Sequence, residues 1–275
     1  TGGDASAGER SVAMLGKWRA MVIEANARGG GGGGGGGFED AAPCVPTHPV
    51  MLALEGAIAR HALALHHFTD LLDAFEEDQR VTRWPSLAEL KRYSTRSANP
   101  VGRLVLGLYG VRERDASGSA PTELLAASDA MCTALQLTNF WQDVRRDLLE
   151  RDRVYVPCEE IGIDPRQLEA WIRGPRDSSA QARYAAAMEP LHRATRAMFE
   201  VGRGVIELGP HQAHRVLSLF WQGGTRTLDR VVAAQGHELW ERPRLGRAAK
   251  AWLVARELLR PRSSHGPGRT DVARA

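Results

Sequence analysis

The sequence predicts an all-α fold, on three observations. Apolar residues recur at helical spacing in ten stretches that cover most of the chain. No stretch alternates apolar and polar residues as a half-buried strand does, and the interruptions fall where Pro and Gly collect. With 275 residues, 43% of them hydrophobic, the chain is long enough to bury a sizeable core, and we expect one domain over residues 1–260.

The elements follow in order. Residues 10–28 carry Met14, Leu15, Trp18, Met21, Val22 and Ile23 as a helical stripe. Nine consecutive glycines, residues 29–37, stop it. No strand precedes that run and no Gly-Lys-Ser/Thr follows it, so it reads as a flexible loop rather than a phosphate cradle. Helical periodicity then spans 49–62, 65–82, 86–98, 100–109, 121–151, 165–172, 178–207, 211–236 and 243–260. Breaks are expected at Pro85, from Gly110 to Pro121, from Pro157 to Pro165, at Gly174-Pro175 and at Gly209-Pro210. Residues 261–275, rich in Arg, Ser, Gly and Pro, are expected to be disordered.

Composition excludes several function classes. Net charge is +3, and the bases are almost all Arg, with Lys17, Lys91 and Lys250 the only lysines. They are scattered among acids rather than clustered with aromatics, which argues against a nucleic-acid groove. No apolar run is long enough to span a membrane. Cys44, Cys132 and Cys158 are odd in number and lack CxxC spacing, so the cysteines point to neither a disulfide framework nor a zinc site. A reducing, cytoplasmic setting is the default expectation.

The most informative stretch is LQLTNFWQDVRRD, residues 135–147. On a helical wheel Gln136, Asn139, Asp143 and Asp147 share an arc of about 80°, while Leu137, Phe140, Trp141, Val144 and Leu148 occupy the neighbouring face. Two carboxylates one turn apart, with an amide a turn earlier, can offer oxygen ligands to one hard cation such as Mg²⁺. The same spacing also fits a solvated face on which Asp143 and Asp147 pair with Arg146 or Arg151. In FTDLLDAFEEDQ, residues 68–79, the stripe Phe68, Leu71, Leu72 and Phe75 leaves Asp70, Asp73 and Glu77 on the opposite face, where solvation is expected. Asp78 lies at the edge of the apolar stripe, where a carboxylate could face a cavity.

The string LQLTNFWQDV, with RVYVP downstream, resembles the second aspartate-rich motif of the squalene/phytoene synthase family. SANPVGRLVL (residues 97–106), LFWQGG (219–224) and WERPRLGRAAK (240–250) are also similar to family landmarks. The resemblance implies a single isoprenoid-synthase helical bundle around a central cavity. It implies that Asp143, Asp147 and Asn139 bind Mg²⁺, and that Gln136, Asn139, Arg153 and Tyr155 contact a diphosphate. It makes Tyr93 and Asp78 candidate catalytic residues. The interval from Asp147 to Arg153 is one residue longer than the family pattern. Phe220 and Trp221 are read as core or cavity aromatics, with core preferred.

The family's first aspartate-rich motif would lie before Thr1, so the resemblance implies an N-terminally truncated bundle. Within the family, NFWQD and SANPVGRLVL are most similar to the bacterial hydroxysqualene synthase branch of hopanoid synthesis. That implies conversion of presqualene diphosphate to hydroxysqualene, or squalene, and pyrophosphate. It also implies partner enzymes of hopanoid synthesis and peripheral association with the inner membrane face. The alternatives are condensation of two prenyl diphosphates, as in phytoene or squalene synthesis, and a catalytically silent partner protein.

Overall fold

The structure is a computed structural model that describes residues 2–29, 48–113 and 120–259. It is all-α: α1 Gly2–Gly29, α2 Pro49–His61, α3 Leu65–Glu77, α4 Leu87–Ser97, α5 Asn99–Leu108, α6 Thr122–Arg151, α7 Pro165–Arg173, α8 Ser178–Gly202, α9 Gly204–Leu208, α10 His214–Ala234 and α11 Arg247–Leu259. Short 3₁₀ turns occupy His211–Ala213 and His237–Leu239. Among the described residues the sole β feature is an isolated bridge between Arg83 and Val154. Of the glycine run only Gly29 is described, as the end of α1, and the tail after residue 260 lies outside the described residues.

Local chemistry places the ends. The Ser86 side chain accepts from the Glu89 amide at 3.2 Å, and Asp164 and Asp177 cap α7 and α8 in the same way. Pro49 and Pro165 each open a helix, where the missing N–H would have had no partner.

Four helices end or begin away from their expected limits. α1 starts at Gly2 rather than residue 10. α3 stops at Glu77 instead of running to 82, because Asp78 becomes its C-cap and its side chain is captured from other elements. The expected helix over 178–207 divides at Arg203 between two glycines. A Cβ at Gly202 would meet the Met131 backbone at 2.8 Å, so α8 touches α6 there without room for a side chain. The last helix begins at Arg247 rather than 243, and the preceding residues form a strap outside regular structure.

α6 is the hub, packed against α4, α5, α8, α9 and α10. One core cluster surrounds its C-terminal half, with Leu137, Phe140, Trp141, Tyr184, Met188 and Phe199. A second surrounds its N-terminal half, with Leu124, Leu125, Met131, Leu106, Val205 and Leu217. Trp141 is fully buried yet satisfied, its indole N–H donating to Thr195 Oγ1 at 2.9 Å. The two clusters leave open faces of α6 between them, and there the polar residues lie.

Candidate functional site

The polar face of α6 opens on a cleft of about 350 Å³ lined by Gln136, Asn139, Asp143, Asp147, Asp78 and Tyr93, with arginines at its rim. Asp143 and Asp147 are each 4% exposed. Burial of carboxylates requires partners, and Asp143 has two: Arg146 donates to Oδ2 at 2.7 Å, and Arg242 engages both oxygens, reaching Oδ2 at 3.1 Å. Arg242 also donates to Gln142 Oε1 at 2.9 Å, and Gln142 donates to the Pro243 carbonyl, so the strap is fastened to α6 beside the cleft.

Asp147 is placed differently. Arg151 lies 3.5 Å and Arg146 3.9 Å from its Oδ1, but neither makes a hydrogen bond to that oxygen, which is buried without one. Burial, and then the charge of Asp143, push its carboxyl up to about 6. A hard cation would relieve both strains. The donor set fits a metal such as Mg²⁺: an orphaned carboxylate oxygen, a second carboxylate one turn away and the Asn139 amide, all lining one cleft.

Asp78 closes the opposite wall. Tyr93 donates to its Oδ1 at 2.8 Å, Tyr155 reaches the same oxygen at 3.4 Å, and Arg153 pairs with Oδ2 at 3.3 Å and with the Asp78 carbonyl at 2.5 Å. Burial raises the Asp78 carboxyl above its usual range, against the pull of these donors. Burial also pushes the Tyr155 hydroxyl up to about 12 and that of Tyr93 higher still, so both stay protonated donors. Behind them Phe140 and Tyr155 stack at 3.8 Å between ring centroids, and Trp84 stacks on Tyr155 at 4.4 Å.

The Asp147–Arg153 interval is closed by a turn at the helix end. Asp152 takes the left-handed conformation at φ 52°, and the Arg153 amide bonds back to the Asp147 carbonyl at 2.9 Å. This αL termination turns the chain so that Arg153 arrives at Asp78.

On the N-terminal half of α6 a second, apolar chamber of about 100 Å³ lies among Val101, Val105, Met131, Leu135, Leu217 and Phe220. Gly102 lets α5 close onto α6 here, since a Cβ would stand 2.5 Å from Cys132 Sγ. Leu135 lines the chamber and Gln136 the cleft, so the two cavities are served by consecutive residues of one helix.

A family model described as squalene/phytoene synthase matches residues 3–249. The chain belongs to the squalene/phytoene synthase family. It is 34% identical over 119 residues to hydroxysqualene synthase from Sinorhizobium fredii, covering 42% of this chain and 37% of that protein. It is 30% identical over 217 residues to phytoene synthase from Thermus thermophilus, covering 77% and 70%. Among solved structures, squalene synthase HpnC from Alicyclobacillus acidocaldarius superposes with TM-score 0.61 at 29% identity, over 82% of this chain and 74% of that one. A dehydrosqualene synthase in complex with ligand gives TM-score 0.70 over 93% and 84%, and at 18% identity it supports the fold alone. The matches to three hydroxysqualene synthases span 36–39% of those proteins' lengths.

In this family member the sequence-predicted residues gather as follows. Asp78, Tyr93, Gln136, Asn139, Asp143, Asp147 and Tyr155 all line one cleft. Asn139 is exposed at its mouth while the two aspartates are buried. Arg153 is not on the cleft wall; it lies behind Asp78, to which it is paired. Of the α3 acids expected to be solvated, Glu77 departs from that reading, its side chain 16% exposed and gripped by Arg96 of α4, while Asp73 keeps a 46% exposed side chain that pairs with Arg19 of α1 at 2.5 Å. Phe220 is not core but 48% exposed at the edge of the apolar chamber, whereas Trp221 is half-buried and donates to the Phe199 carbonyl at 2.9 Å.

Sequence reasoning missed Arg242. It lies 99 residues from Asp143, and its only signal was its place in WERPRLGRAAK, a stretch recognised as a landmark without a role for its arginine. Among the described residues no helix is long and apolar enough to cross a membrane.

Proposed function

We propose that this chain carries out diphosphate-ionising isoprenoid chemistry, releasing pyrophosphate from presqualene diphosphate and giving hydroxysqualene where water captures the cation, or squalene where an external hydride donor such as NADPH does. The observation that carries this reading is Asp147: a buried carboxylate oxygen without a hydrogen bond, one turn from a second buried carboxylate, in a cleft rimmed by arginines. The 33–35% identity to three hydroxysqualene synthases supports the choice of reaction.

Asp143, Asp147 and Asn139 would hold Mg²⁺, which when bound supplies Lewis-acid neutralisation of the diphosphate charge. The chain's own cations do related work. Arg146, Arg151 and Arg242 make the rim positive, attract an anionic headgroup and can turn guanidinium donors from Asp143 and Asp147 toward phosphate oxygens. Gln136 offers an amide to the same headgroup. Tyr93 holds its proton and donates to Asp78, fixing that wall of the cleft. The apolar chamber further along α6 offers a prenyl chain a surface away from water, which matters because water quenches a carbocation early. At about 100 Å³ the chamber is smaller than the ~150 Å³ cavity that takes up benzene, so a long chain extends past it along the exposed Phe220.

A second reading has its own support. The Thermus thermophilus phytoene synthase match covers 77% of this chain, more than any of the three hydroxysqualene synthase matches, and favours condensation of two prenyl diphosphates. One experiment separates them. The chain is incubated with Mg²⁺ and either presqualene diphosphate or farnesyl or geranylgeranyl diphosphate, following pyrophosphate and the C30 or C40 product. Hydroxysqualene from presqualene diphosphate and water, or squalene only when NADPH is added as the hydride donor, supports the first reading. Consumption of farnesyl or geranylgeranyl diphosphate supports the second, and no turnover of any substrate rejects both.

A further inference from the structure

We propose that His66, His67, Asp70 and Glu113 form a binding site for a borderline divalent transition-metal ion, best matched by zinc, that ties the start of α3 to the segment after α5. The site is separate from the acidic cleft.

Ligand atoms of His66, His67 and Asp70 lie within 4.8 Å of one another, and among the described residues this is the only His/Cys/Asp/Glu group of three or more in such proximity. The fourth group comes from another part of the chain. Glu113 stands with Oε1 3.1 Å from His67 Nε2 and Oε2 3.5 Å from His66 Nε2, so both imidazoles present the same nitrogen to one carboxylate. Two imidazoles and two carboxylates suit zinc and its neighbours, which accept nitrogen ligands, and suit Mg²⁺ poorly.

Ligands at about 2.0–2.1 Å from a tetrahedral zinc stand roughly 3.3 Å apart, so closing the site from separations of up to 4.8 Å needs contraction of at most about 1.5 Å. The side chains allow it. His66 is 53% exposed and can rotate, Glu113 is 36% exposed and already faces both rings, and His67, 7% exposed, supplies a fixed anchor. The rings already lean together, with centroids 4.0 Å apart.

Charge also balances. Two carboxylates and two neutral imidazoles cancel a divalent ion. Arg103, which donates to Glu113 Oε1 at 3.1 Å, is itself held by both oxygens of Asp129 at 2.9 and 2.6 Å. Arg103 therefore orients Glu113 from outside the ligand set while its own charge is offset.

The test uses the full chain after EDTA treatment and buffer exchange, titrated with ZnCl₂ by calorimetry and with Co²⁺ by visible absorption. The expected result is one ion per chain, four-coordinate cobalt bands without thiolate charge transfer, and a melting temperature that zinc raises. His66→Gln and Asp70→Asn, both at positions able to lose a ligand without opening the core, should each weaken zinc binding by about 10- to 100-fold or more and abolish the thermal shift. Asp143→Asn should bind zinc as the parent does. No uptake at stoichiometric zinc, or uptake unchanged in both His66→Gln and Asp70→Asn, overturns the proposal. Displacement of zinc by an equal concentration of Mg²⁺ overturns it as well.

Discussion

α3 and α6 each carry a row of acids, and the structure uses the two rows in opposite ways. On α3, Asp73 and Glu77 meet arginines from α1 and α4 that satisfy them from outside, so the row fastens helices together. On α6, Asp143 is doubly engaged, but Asp147 keeps a buried oxygen that no donor satisfies, and both open on a cleft. Acid spacing alone therefore does not distinguish a fastener from a ligand. The difference lies in whether neighbouring elements complete the carboxylate or leave it incomplete.

That contrast can be broken most directly by Asp143→Asn, which keeps the shape and removes the charge. In a presqualene diphosphate assay with Mg²⁺ we expect turnover to fall about a hundredfold or more, the scale of losing a main electrostatic stabiliser. Asp73→Asn and Asp70→Asn should leave turnover near the parent's, and a crippled Asp73→Asn would reverse the assignment.

Asp147 sharpens the comparison through pH. Its carboxyl sits near 6 in the fold against an ordinary 3.8, so between these values the folded chain holds a proton that the unfolded chain releases. Stability from this group is thus highest below about pH 4 and declines as pH rises through 6. Metal-free Asp147→Asn should then be more stable than the parent at pH 7.5, on the order of 2 kcal/mol, with the gap closing toward pH 4. Urea unfolding at both pH values reads it.

Tyr93→Phe should cost about 1.5 kcal/mol by the same method, since it strips the 2.8 Å donor from the half-buried Asp78. The smallest effect belongs to the α3 row. Asp73→Asn opens a partly exposed pair with Arg19 and should change stability by less than about 1 kcal/mol, diminishing in salt.

The helices were legible because apolar periodicity is a local property, and so was the shared arc of Gln136, Asn139, Asp143 and Asp147. Completion of the site was not. Arg242 arrives at Asp143 from a strap outside regular structure, and Arg19 and Arg96 reach α3 from different helices; no local period encodes such meetings. The end of α3 was misread for the same reason, as its pattern continues past Glu77 while tertiary partners pull Asp78 out of it. Glu113 is a further case, lying 46 residues from His67 in sequence and 3.1 Å from it in space.

Because Leu135 in the chamber and Asn139 at the cleft belong to one unbroken helix, their angular relation is set by helical phase alone. Substitution can resize either cavity independently. A single inserted residue between these positions would swing the acids by about 100° onto the buried face of Leu137, Val144 and Leu148, and a deletion would swing them as far the other way, onto the side that faces the chamber. Diversification along this segment is therefore confined to exchange of side chains at constant length, whereas the glycine run at residues 29–37 lies outside the segment whose length fixes that phase.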